Sequence, residues 1–503
     1  MDILHKPLIL ATIALYGLFV VAVGVWALRR TAGPRDFFIA GQRLGLWVTG
    51  VATMSAAFSG FVFLGGPGLT YRLGLGSLFI VLPVGLTGGM LCWCVGKRLR
   101  LLAEVREVYT VPDALAARFG GRGPAGWAAV AVAVGSVGYL GAQFLALGRL
   151  LEVLLGGREA LGPWSLALAM ALGLAVVLFY SVAGGMVAGV YTDFFQGLLM
   201  LGAAGGVFYY ALRSVGGWRS MTEAIAGSGS FGTGFLEPFG TLPVLAGLGF
   251  FFVFGVGTLG QPHMLHKFYM LKDPEKLRWL PLVLGASQAL CVLIWLGIGL
   301  AVPALVATGE LAPLATADDA APLFLLSHTP QVLAGLVCAG ILAAIMSTAD
   351  SFVNIGSAAL VRDLPRAFGR PLADEFRWGR RASVGVALLA GVVAYFYDDL
   401  IALLGTFAFG TFAAALVPAL AVGLNWRRVT SRAATASIAT GTVANLGLEG
   451  LSRYEVLPLA PGAMPSAVAL AASFTVLFAV TLATPASESR PTLPPDLDRA
   501  LSL

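Results

Sequence analysis

The sequence predicts an all-helical (all-α) membrane protein that crosses the bilayer about thirteen times. Of its 503 residues, 58% are hydrophobic and only 12% are charged, whereas about 25% of the residues in an ordinary soluble domain are charged. Apolar windows of spanning length recur along the chain, and the basic residues between them fall mainly in alternate loops. These observations exclude a soluble enzyme that is held at the membrane by a single anchor.

The apolar windows set the order of the spans. The first window ends at Arg29-Arg30 and lacks a small-residue cleavage site, so we expect a transmembrane helix there and not a cleaved signal peptide. The chain after Pro485 is rich in Pro, Ser and charged residues, which predicts disorder. The predicted spans are 7–28, 44–71, 76–96, 124–151, 161–183, 188–212, 241–264, 279–305, 331–360, 382–397, 400–424, 434–450 and 465–484.

The basic residues predict the orientation of the chain. If the N-terminus is outside, most of the 32 Lys and Arg residues lie in inner loops, and Lys267 and Arg362 are among them. Acidic residues such as Asp318 and Asp319 then fall in outer loops. Because cytoplasmic loops are enriched in Lys and Arg, this orientation is favoured, with the C-terminus in the cytoplasm. The net charge of +6 therefore needs no nucleic-acid partner.

The sequence lacks motifs for ATP hydrolysis and for metal catalysis. It has no Gly-rich phosphate loop with a Lys, and no His, Cys and Glu residues at metal-ligand spacing. The four cysteines lie in apolar stretches without a Cys-x-x-Cys pair, so we interpret them as packing residues. The sequence argues against an ATP-driven pump and an integral-membrane enzyme, and it predicts no organic cofactor.

Two adjacent hydroxyl side chains, Ser347 and Thr348, stand in the middle of the apolar stretch 331–360. On a helix the carbonyl of Ala344 lies beside them, because residues three and four apart share a face. Three neighbouring oxygens without a fixed charge suit a hard monovalent cation such as Na⁺. The alternative is that the hydroxyls bond back to the preceding turn or help helices to pack.

Glycine and proline interrupt the second and the seventh spans, in the runs 55–68 and 254–263. Paired breaks in corresponding helices indicate a binding site between inverted repeats. A break also frees backbone carbonyls, and those near Ser55 and Phe58 are candidates to face the Ser347-Thr348 pair and complete a Na⁺ site of about five oxygens. The alternative is that the glycines only allow neighbouring helices to pack closely.

The two breaks are five spans apart, so each falls in the leading helix of a five-helix repeat if the repeats begin at the second and seventh spans. The sequence therefore predicts a core of two inverted five-helix repeats. The predicted organisation is an extra N-terminal helix at 1–35, a first repeat at 36–212, a second repeat at 213–424, two additional helices at 425–484 and a disordered cytoplasmic tail at 485–503.

Few acidic residues lie within the spans. Asp193, near the inner end of the sixth span, is either a transient stop for Na⁺ leaving toward the cytoplasm or a helix N-cap. Asp350 either tunes the electric field at the ion site or caps a polar patch. His263 is more simply a structural residue at an inner helix end than a proton carrier.

Several of these motifs together resemble the sodium:solute symporter family. The resemblance covers nearly the whole chain and implies a leucine-transporter-like (LeuT-like) core with added helices. The matching motifs are Asp36-Phe37-Phe38-Ile39-Ala40-Gly41, Ser59-Gly60 with Gly66-Pro67-Gly68, Ala183-Gly184-Gly185 with Thr192-Asp193 and Gln196, Gly260-Gln261-Pro262-His263, and Ala344-Ile345-Met346-Ser347-Thr348.

The resemblance also implies the residues of the site. It places Asp193 on the exit route of Na⁺, and it places the solute at mid-membrane, between the broken helices and the fourth span. The implied Na⁺ ligands are the carbonyls of Ser55, Phe58 and Ala344 and the hydroxyls of Ser347 and Thr348. The implied solute contacts are Ser59, Gly60, Phe61, Tyr139, Gln143, Phe254, Thr258 and Gln261.

The function that the resemblance implies is Na⁺-coupled import of a small organic solute by alternating access, in a multi-pass protein of the cell membrane. Its expected partners are the solute and the lipid bilayer, with no obligate protein partner. Ala57 and Phe61 depart from the family's proline permeases, which carry an acid and a Trp there, and the run 65–68 and Gln143 look closer to the pantothenate and monocarboxylate branch. The expected solute is a monocarboxylate, a pantothenate-like compound or an amino acid. A proton-coupled symporter of the same fold and a solute-sensing transceptor are the alternatives.

Overall fold

The computed structural model describes residues 7–28, 44–155, 161–397, 399–456, 459–485 and 495–496, without the side chains of 179–189 and a few other helical positions. Helices are the only regular secondary structure of the described chain, apart from one isolated β-bridge. In chain order the helices are α1 Pro7–Leu28, α2 Leu46–Ala57, α3 Gly66–Leu73, α4 Leu82–Met90, α5 Lys97–Val105, α6 Val111–Phe119, α7 Arg122–Leu154, α8 Ser165–Ser214, α9 Trp218–Ala226, α10 Val244–Gly257, α11 Pro262–Met270, α12 Leu280–Ala307, α13 Ala320–His328, α14 Gln331–Ala358, α15 Leu364–Ala367, α16 Glu375–Phe396, α17 Ile401–Val417, α18 Ser431–Arg453 and α19 Pro465–Ala483.

Eight helices of the described chain are long and apolar enough to cross a membrane, and a bent pair at 46–80 adds a ninth if it is one span. The all-helical polytopic fold is confirmed, although fewer helices qualify than the thirteen or so that the sequence predicts. α18, for example, coincides with the predicted span 434–450 but is rich in Ser, Thr and charged residues. The eight are Arg122–Leu154, Val190–Ser214, Val244–Met270, Leu280–Ala307, Gln331–Ala367, Arg377–Phe396, Ile401–Val422 and Pro465–Ala483.

The predicted break in the second span is present. α2 ends at Ala57, Phe58 is extended with φ −96° and ψ 103°, and a helical turn resumes at Phe61 with its axis rotated by 53°. Gly60 allows the break to pack closely, because an added Cβ there would lie 2.6 Å from the Cβ of Ala146 on α7. Only glycine leaves room for that approach.

The seventh predicted span is broken as well. α10 ends at Gly257, residues 258–260 form a 3₁₀ turn, and Gln261 is extended with φ −77° and ψ 107° before α11 begins at Pro262. Proline suits this first position of a helix, where its missing N–H leaves no hydrogen bond unmade. Gly257 packs against α17, where an added Cβ would lie 2.7 Å from the Cβ of Ala413.

α8 covers both the fifth and the sixth predicted spans. Its backbone is helical from Ser165 to Ser214, where the sequence predicts a loop between 183 and 188. Its first part packs on α7 and its last part packs on α14, as the neighbours of Gly148 and Gly206 show. The side chains of the 183–185 motif lie outside the described residues, as do the motif at 36–41 and nearly all of the predicted tail.

The centre of the molecule is formed by α7, α14 and α17. The apolar windows of these helices are 78%, 83% and 89% buried, compared with 28% for α16 and 33% for α19. α16 instead exposes large apolar side chains such as Leu388 and Phe396, as expected of a helix that faces lipid. α7 and α14 also carry polar side chains of the candidate site, among them Gln143, Ser347 and Thr348.

The two broken spans are joined at their ends by the isolated β-bridge. The amide of Leu44, just before α2, donates to the carbonyl of Met270 at the end of α11 at 3.1 Å, and Lys272 donates back to the Leu44 carbonyl at 2.9 Å. The start of one broken span therefore lies beside the end of the other, so the two spans run in opposite directions.

Candidate functional site

Thr348 is buried in α14, and its hydroxyl, like those of Thr49 and Thr481, does not bond back to the preceding turn. The oxygen of Thr348 has no hydrogen-bond partner among the described residues. An orphaned buried oxygen costs about 1–3 kcal/mol unless a ligand satisfies it. The simple back-bonding alternative therefore does not describe Thr348. Threonines that do bond to the carbonyl four residues earlier, at 2.6 to 2.8 Å, are Thr53, Thr258, Thr406 and Thr442.

The end of α2 supplies further free oxygens. Because the helix stops at Ala57, the carbonyls of Ser55 and Phe58 accept no hydrogen bond from the backbone of the described chain. The Ser55 hydroxyl is also buried without a partner there. Carbonyl and hydroxyl oxygens are the ligands that hard cations take.

Three contacts bring α2, α8 and α14 together around these oxygens. An added Cβ on Gly60 would lie 2.8 Å from Ile345 of α14, and one on Gly197 of α8 would lie 2.5 Å from Val51 of α2. The third contact is a hydrogen bond from the hydroxyl of Ser347 to a carboxylate oxygen of Asp193. The residues predicted to hold Na⁺ thus lie on adjoining segments, and their uncharged oxygens fit a monovalent cation.

Asp193 is an ion-pair partner inside the protein and not a helix N-cap, because it lies in the interior of α8. Its second oxygen lies 2.6 Å from Nζ of Lys267, and the two side chains are 1% and 2% exposed. The interpretation of Lys267 as a loop residue is wrong, because it belongs to the span Val244–Met270. No local signal indicates the pairing, because Lys267 and Asp193 are 74 positions apart along the chain.

Asp350 and His263 also have defined surroundings. Asp350 accepts a hydrogen bond from the side-chain amide of Asn354 at 3.1 Å, one turn further along α14. The ring of His263 lies against those of Tyr139 and Phe352, with centroids 5.6 and 4.6 Å away. His263 therefore stands in a wall of aromatic rings.

A cavity of about 280 Å³ lies beside the two breaks. Four of the predicted solute contacts line it: Phe61, Tyr139, Phe254 and Thr258. The rings of Phe254 and Phe409 stack with centroids 4.4 Å apart, which gives one wall a flat aromatic surface. The other lining residues are Ala57, Phe58, Val62, Ile80, Val81, Leu82, His263, Met264, Gln288, Ala289, Val292 and Phe409.

Gln288 of α12 is a polar lining residue that no motif in the sequence indicates. Its side chain is 1% exposed, and both its amide nitrogen and its amide oxygen have no hydrogen-bond partner among the described residues. A buried amide normally finds partners. The orphaned amide in the cavity wall is therefore suited to bind a polar group of a ligand.

The other four predicted solute contacts do not line this cavity, and they support the breaks instead. The amide of Gly60 donates to the side-chain oxygen of Gln143 at 3.0 Å, and the hydroxyl of Ser59 accepts from Phe61 at 3.2 Å. Gln261 donates to the carbonyls of Gly257 and Phe409. A direct role of these four residues in solute binding stays a prediction.

A buried ionic cluster joins α6 to the end of α14. A guanidinium nitrogen of Arg362 lies 2.6 Å from Asp113 and 3.4 Å from Asp363. Thr110 donates to Asp363 at 3.0 Å and caps α6. Arg362 is only 2% exposed. The sequence assigns it to an inner loop, whereas the structure places its guanidinium group in a buried ion pair with Asp113.

Asp318 holds a second junction, between the segment before α13 and the start of α17. One of its carboxylate oxygens accepts a hydrogen bond from the amide of Ile401 at 2.9 Å, and the other lies against Gly68. Burial raises the pKa of Asp318 to about 7, against the lowering effects of the Ile401 amide and of Arg149. Asp318 and Asp319 are each only 2% exposed, which differs from the outer-loop exposure that the sequence suggests.

Unpartnered carbonyl and hydroxyl oxygens at a helix break of the described chain, near a cavity in a polytopic helical protein, are the arrangement expected of a membrane transporter that couples an ion to a solute. The chain belongs to the sodium:solute symporter family, whose sequence pattern matches residues 37–441. It is therefore a Na⁺-coupled solute symporter and a multi-pass protein of the plasma membrane, not an enzyme.

Curated relatives match most of the chain at low identity. The High-affinity proline transporter PutP of Bacillus subtilis (strain 168) is 28% identical over 457 residues, which are 87% of this chain and 92% of the relative. The Sodium/proline symporter of Staphylococcus aureus (strain JH9) is 26% identical over 455 residues, which are 86% and 84% of the two chains. These relatives are proline transporters and do not support the pantothenate and monocarboxylate branch.

Solved structures show the same fold. A Na⁺-coupled sialic acid symporter in a substrate-bound outward-open state aligns with a TM-score of 0.71 at 16% identity, over 95% of this chain and 98% of the other. The nucleobase-cation-symport-1 family transporter Mhp1, in a closed conformation, aligns with a TM-score of 0.56 at 15% identity, over 94% and 99%. The chain therefore has the fold of LeuT-like symporters.

Proposed function

We propose that this protein imports a small organic solute together with Na⁺ by alternating access. The observation that carries the proposal is the position of Phe58, which lines the cavity and whose carbonyl, an expected Na⁺ ligand, accepts no backbone hydrogen bond in the described chain. Na⁺ bound at that carbonyl would fix one wall of the cavity. The solute and the ion would then strengthen each other's binding by the same factor.

The cavity lining supports a zwitterionic or singly negative solute. No Asp, Glu, Lys or Arg is among its described lining residues, so a solute with a large unbalanced charge would be buried without a partner. A carboxylate could instead be balanced by the neighbouring Na⁺. We therefore propose an amino acid or a monocarboxylate, including a pantothenate-like compound, with its polar groups toward the break and Gln288.

The two polar junctions support alternating access. Release on one side would require the Arg362–Asp113 ion pair to separate, and entry on the other side would require Asp318 to leave the amide of Ile401. The cavity would lie between these two junctions. With the N-terminus outside, as proposed below, the Arg362 cluster is the inner gate and the Asp318 junction is the outer gate.

We propose that the chain has an N-terminus outside, about thirteen spans and a cytoplasmic C-terminus. Two inverted repeats at 36–212 and 213–424 would form the core, with the helix at 1–35, the helices at 425–484 and the tail at 485–503 around it. The broken leading spans and their opposite directions support this arrangement.

The function is tested with purified protein in two stages. A thermal-shift screen of amino acids and monocarboxylates in NaCl and in KCl finds the solute, which should stabilise the protein more strongly in NaCl. Uptake of that solute into proteoliposomes should then be driven by an inward Na⁺ gradient. Uptake driven by a pH gradient without Na⁺ would establish the proton-coupled alternative, and binding without solute counterflow would establish the transceptor.

A further inference from the structure

The buried Lys267–Asp193 pair stands directly behind the candidate Na⁺ site. Lys267 Nζ lies 2.6 Å from one oxygen of Asp193, and the other oxygen of Asp193 accepts the hydrogen bond of Ser347. Each carboxylate oxygen of Asp193 therefore has a partner, and the only fixed positive charge in contact with it among the described residues belongs to the lysine.

The hydrogen bond has a direction that matters for ion binding. A carboxylate only accepts hydrogen bonds, so the proton of the Ser347 hydroxyl points at Asp193. The lone pairs of Ser347 are then directed away from Asp193 and are available to a cation. An ionised Asp193 orients an uncharged ligand in the way that outer-shell carboxylates orient metal ligands.

The ammonium group of Lys267 stands where a second cation would otherwise bind. A buried carboxylate beside a polar hydroxyl attracts a small cation, because an isolated charge is very costly in a low-dielectric interior. The lysine supplies that positive charge from within the chain. It projects from α11, the helix after the second break, on which His263 and Met264 line the cavity.

We propose that Lys267 is a positioning residue that acts as a tethered cation. It occupies the cation-binding face of Asp193, holds the carboxylate toward Ser347, and so limits the site to one Na⁺ in each transport cycle. This inference rests on the proposed Na⁺-coupled import. It also connects the ion site to α11, so a movement of that helix changes the surroundings of Asp193.

The groups around the pair come from several helices. His263 and His266 share α11 with Lys267, and Ser347 faces Asp193 from α14. On the α8 side, the amide of Gln196 donates to the hydroxyl of Tyr16 on α1 at 2.8 Å. No further carboxylate is bonded to Lys267 among the described residues, so replacing the lysine leaves Asp193 as an unbalanced charge.

The first test measures Na⁺ stoichiometry in the wild-type protein. The accumulation ratio of the solute at equilibrium, under a series of imposed Na⁺ gradients and membrane potentials, gives the number of ions moved with each solute. We expect one Na⁺ for each solute molecule. Two Na⁺ ions would overturn the inference while leaving Na⁺-coupled import intact, and Na⁺-independent uptake would instead overturn the proposed function.

The second test uses variants of the pair. Lys267→Gln should let a second Na⁺ bind at Asp193, so the Hill coefficient for Na⁺ should rise from about one toward two. Lys267→Arg retains the charge and should keep a coefficient near one, and so should the double variant Asp193→Asn with Lys267→Gln. If Lys267→Gln does not transport, Na⁺-dependent thermal stabilisation in detergent supplies the same coefficient. A Hill coefficient of one in Lys267→Gln would contradict the inference. If that variant does not fold, the Na⁺ stoichiometry of the wild-type protein tests the inference instead.

Discussion

Phe61 and Phe254 stack with their ring centroids 5.6 Å apart and their planes at 18°. Phe61 follows the break in the second predicted span, and Phe254 precedes the break in the seventh. The two broken helices therefore meet through an aromatic contact at the wall of the cavity. A solute that binds there touches both halves of the proposed repeat structure at once.

The stacked rings should contribute to solute affinity. Phe254→Ala removes a contact with Phe61 and with Phe409, and the loss of such a pair costs about 0.5–1.5 kcal/mol beyond the buried area. We expect the KM for the solute to rise roughly tenfold, with the Na⁺ dependence retained. Phe478→Ala on α19, where the ring is 40% exposed, is the control, and an equal effect of both changes would contradict the prediction.

Gln288→Leu should separate solute binding from stability. The orphaned amide of Gln288 is unfavourable when no ligand is bound. The solute-free variant should therefore be as stable as the wild type or more stable, with a gain in the free energy of unfolding of up to about 1–3 kcal/mol. The solute affinity should fall, because a polar contact is lost. Thermal unfolding with and without solute checks both effects. A large loss of stability together with unchanged uptake would show that Gln288 serves only packing.

Gly60→Ala should abolish transport through its effect on the break. The new methyl group would lie 2.6 Å from Ala146 and 2.8 Å from Ile345, so α7 or α14 would have to move. The carbonyls freed at the end of α2 would move with them. Gly202→Ala in α8, where an added Cβ meets no atom within 4 Å, is the matched control. Na⁺-driven uptake in Gly60→Ala close to that of Gly202→Ala would refute this role.

Asp318 predicts a pH dependence of stability. The pKa of Asp318 is about 7 in the folded protein and about 3.8 as an exposed group, so between these values the native state holds a proton that the unfolded chain releases. The contribution of Asp318 to the free energy of unfolding should therefore decrease as pH rises from about 4 to about 7, and stay constant above that. Thermal unfolding of the wild type and of Asp318→Asn across this range measures the difference. Parallel curves for the two proteins would contradict the prediction.

The breaks and the hydroxyl pair could be predicted from the sequence because their signals are local. Glycine or proline stands at each break, Gly60 in the second span and Pro262 in the seventh, and Ser347 and Thr348 share a helical face with Ala344 whatever surrounds them. The aromatic contacts Phe61, Tyr139 and Phe254 came from the family resemblance, and the structure places all three in the cavity wall.

Residues whose role depends on a distant partner could not be predicted in this way. Lys267 is 74 positions from Asp193, and the count of basic residues places it in a loop although it lies inside a span. Gln288 is one polar residue in a long apolar helix, and no periodicity indicates which side of α12 faces the cavity. The sequence indicates that Asp318 is an exposed acidic residue of a loop, because its burial depends on contacts with the distant residues Ile401 and Gly68.

The Na⁺ dependence of uptake by Thr348 variants tests the central claim most directly. If the unpartnered hydroxyl of Thr348 binds Na⁺, Thr348→Val should lose a contact to a charged group, about 1.5–3 kcal/mol, and raise the half-saturating Na⁺ concentration at least roughly tenfold. Thr348→Ser keeps the hydroxyl and should stay close to the wild type, and Thr442→Val should remove only a back-bonded hydroxyl. An unchanged half-saturating Na⁺ concentration in Thr348→Val would contradict the assignment of the ion site.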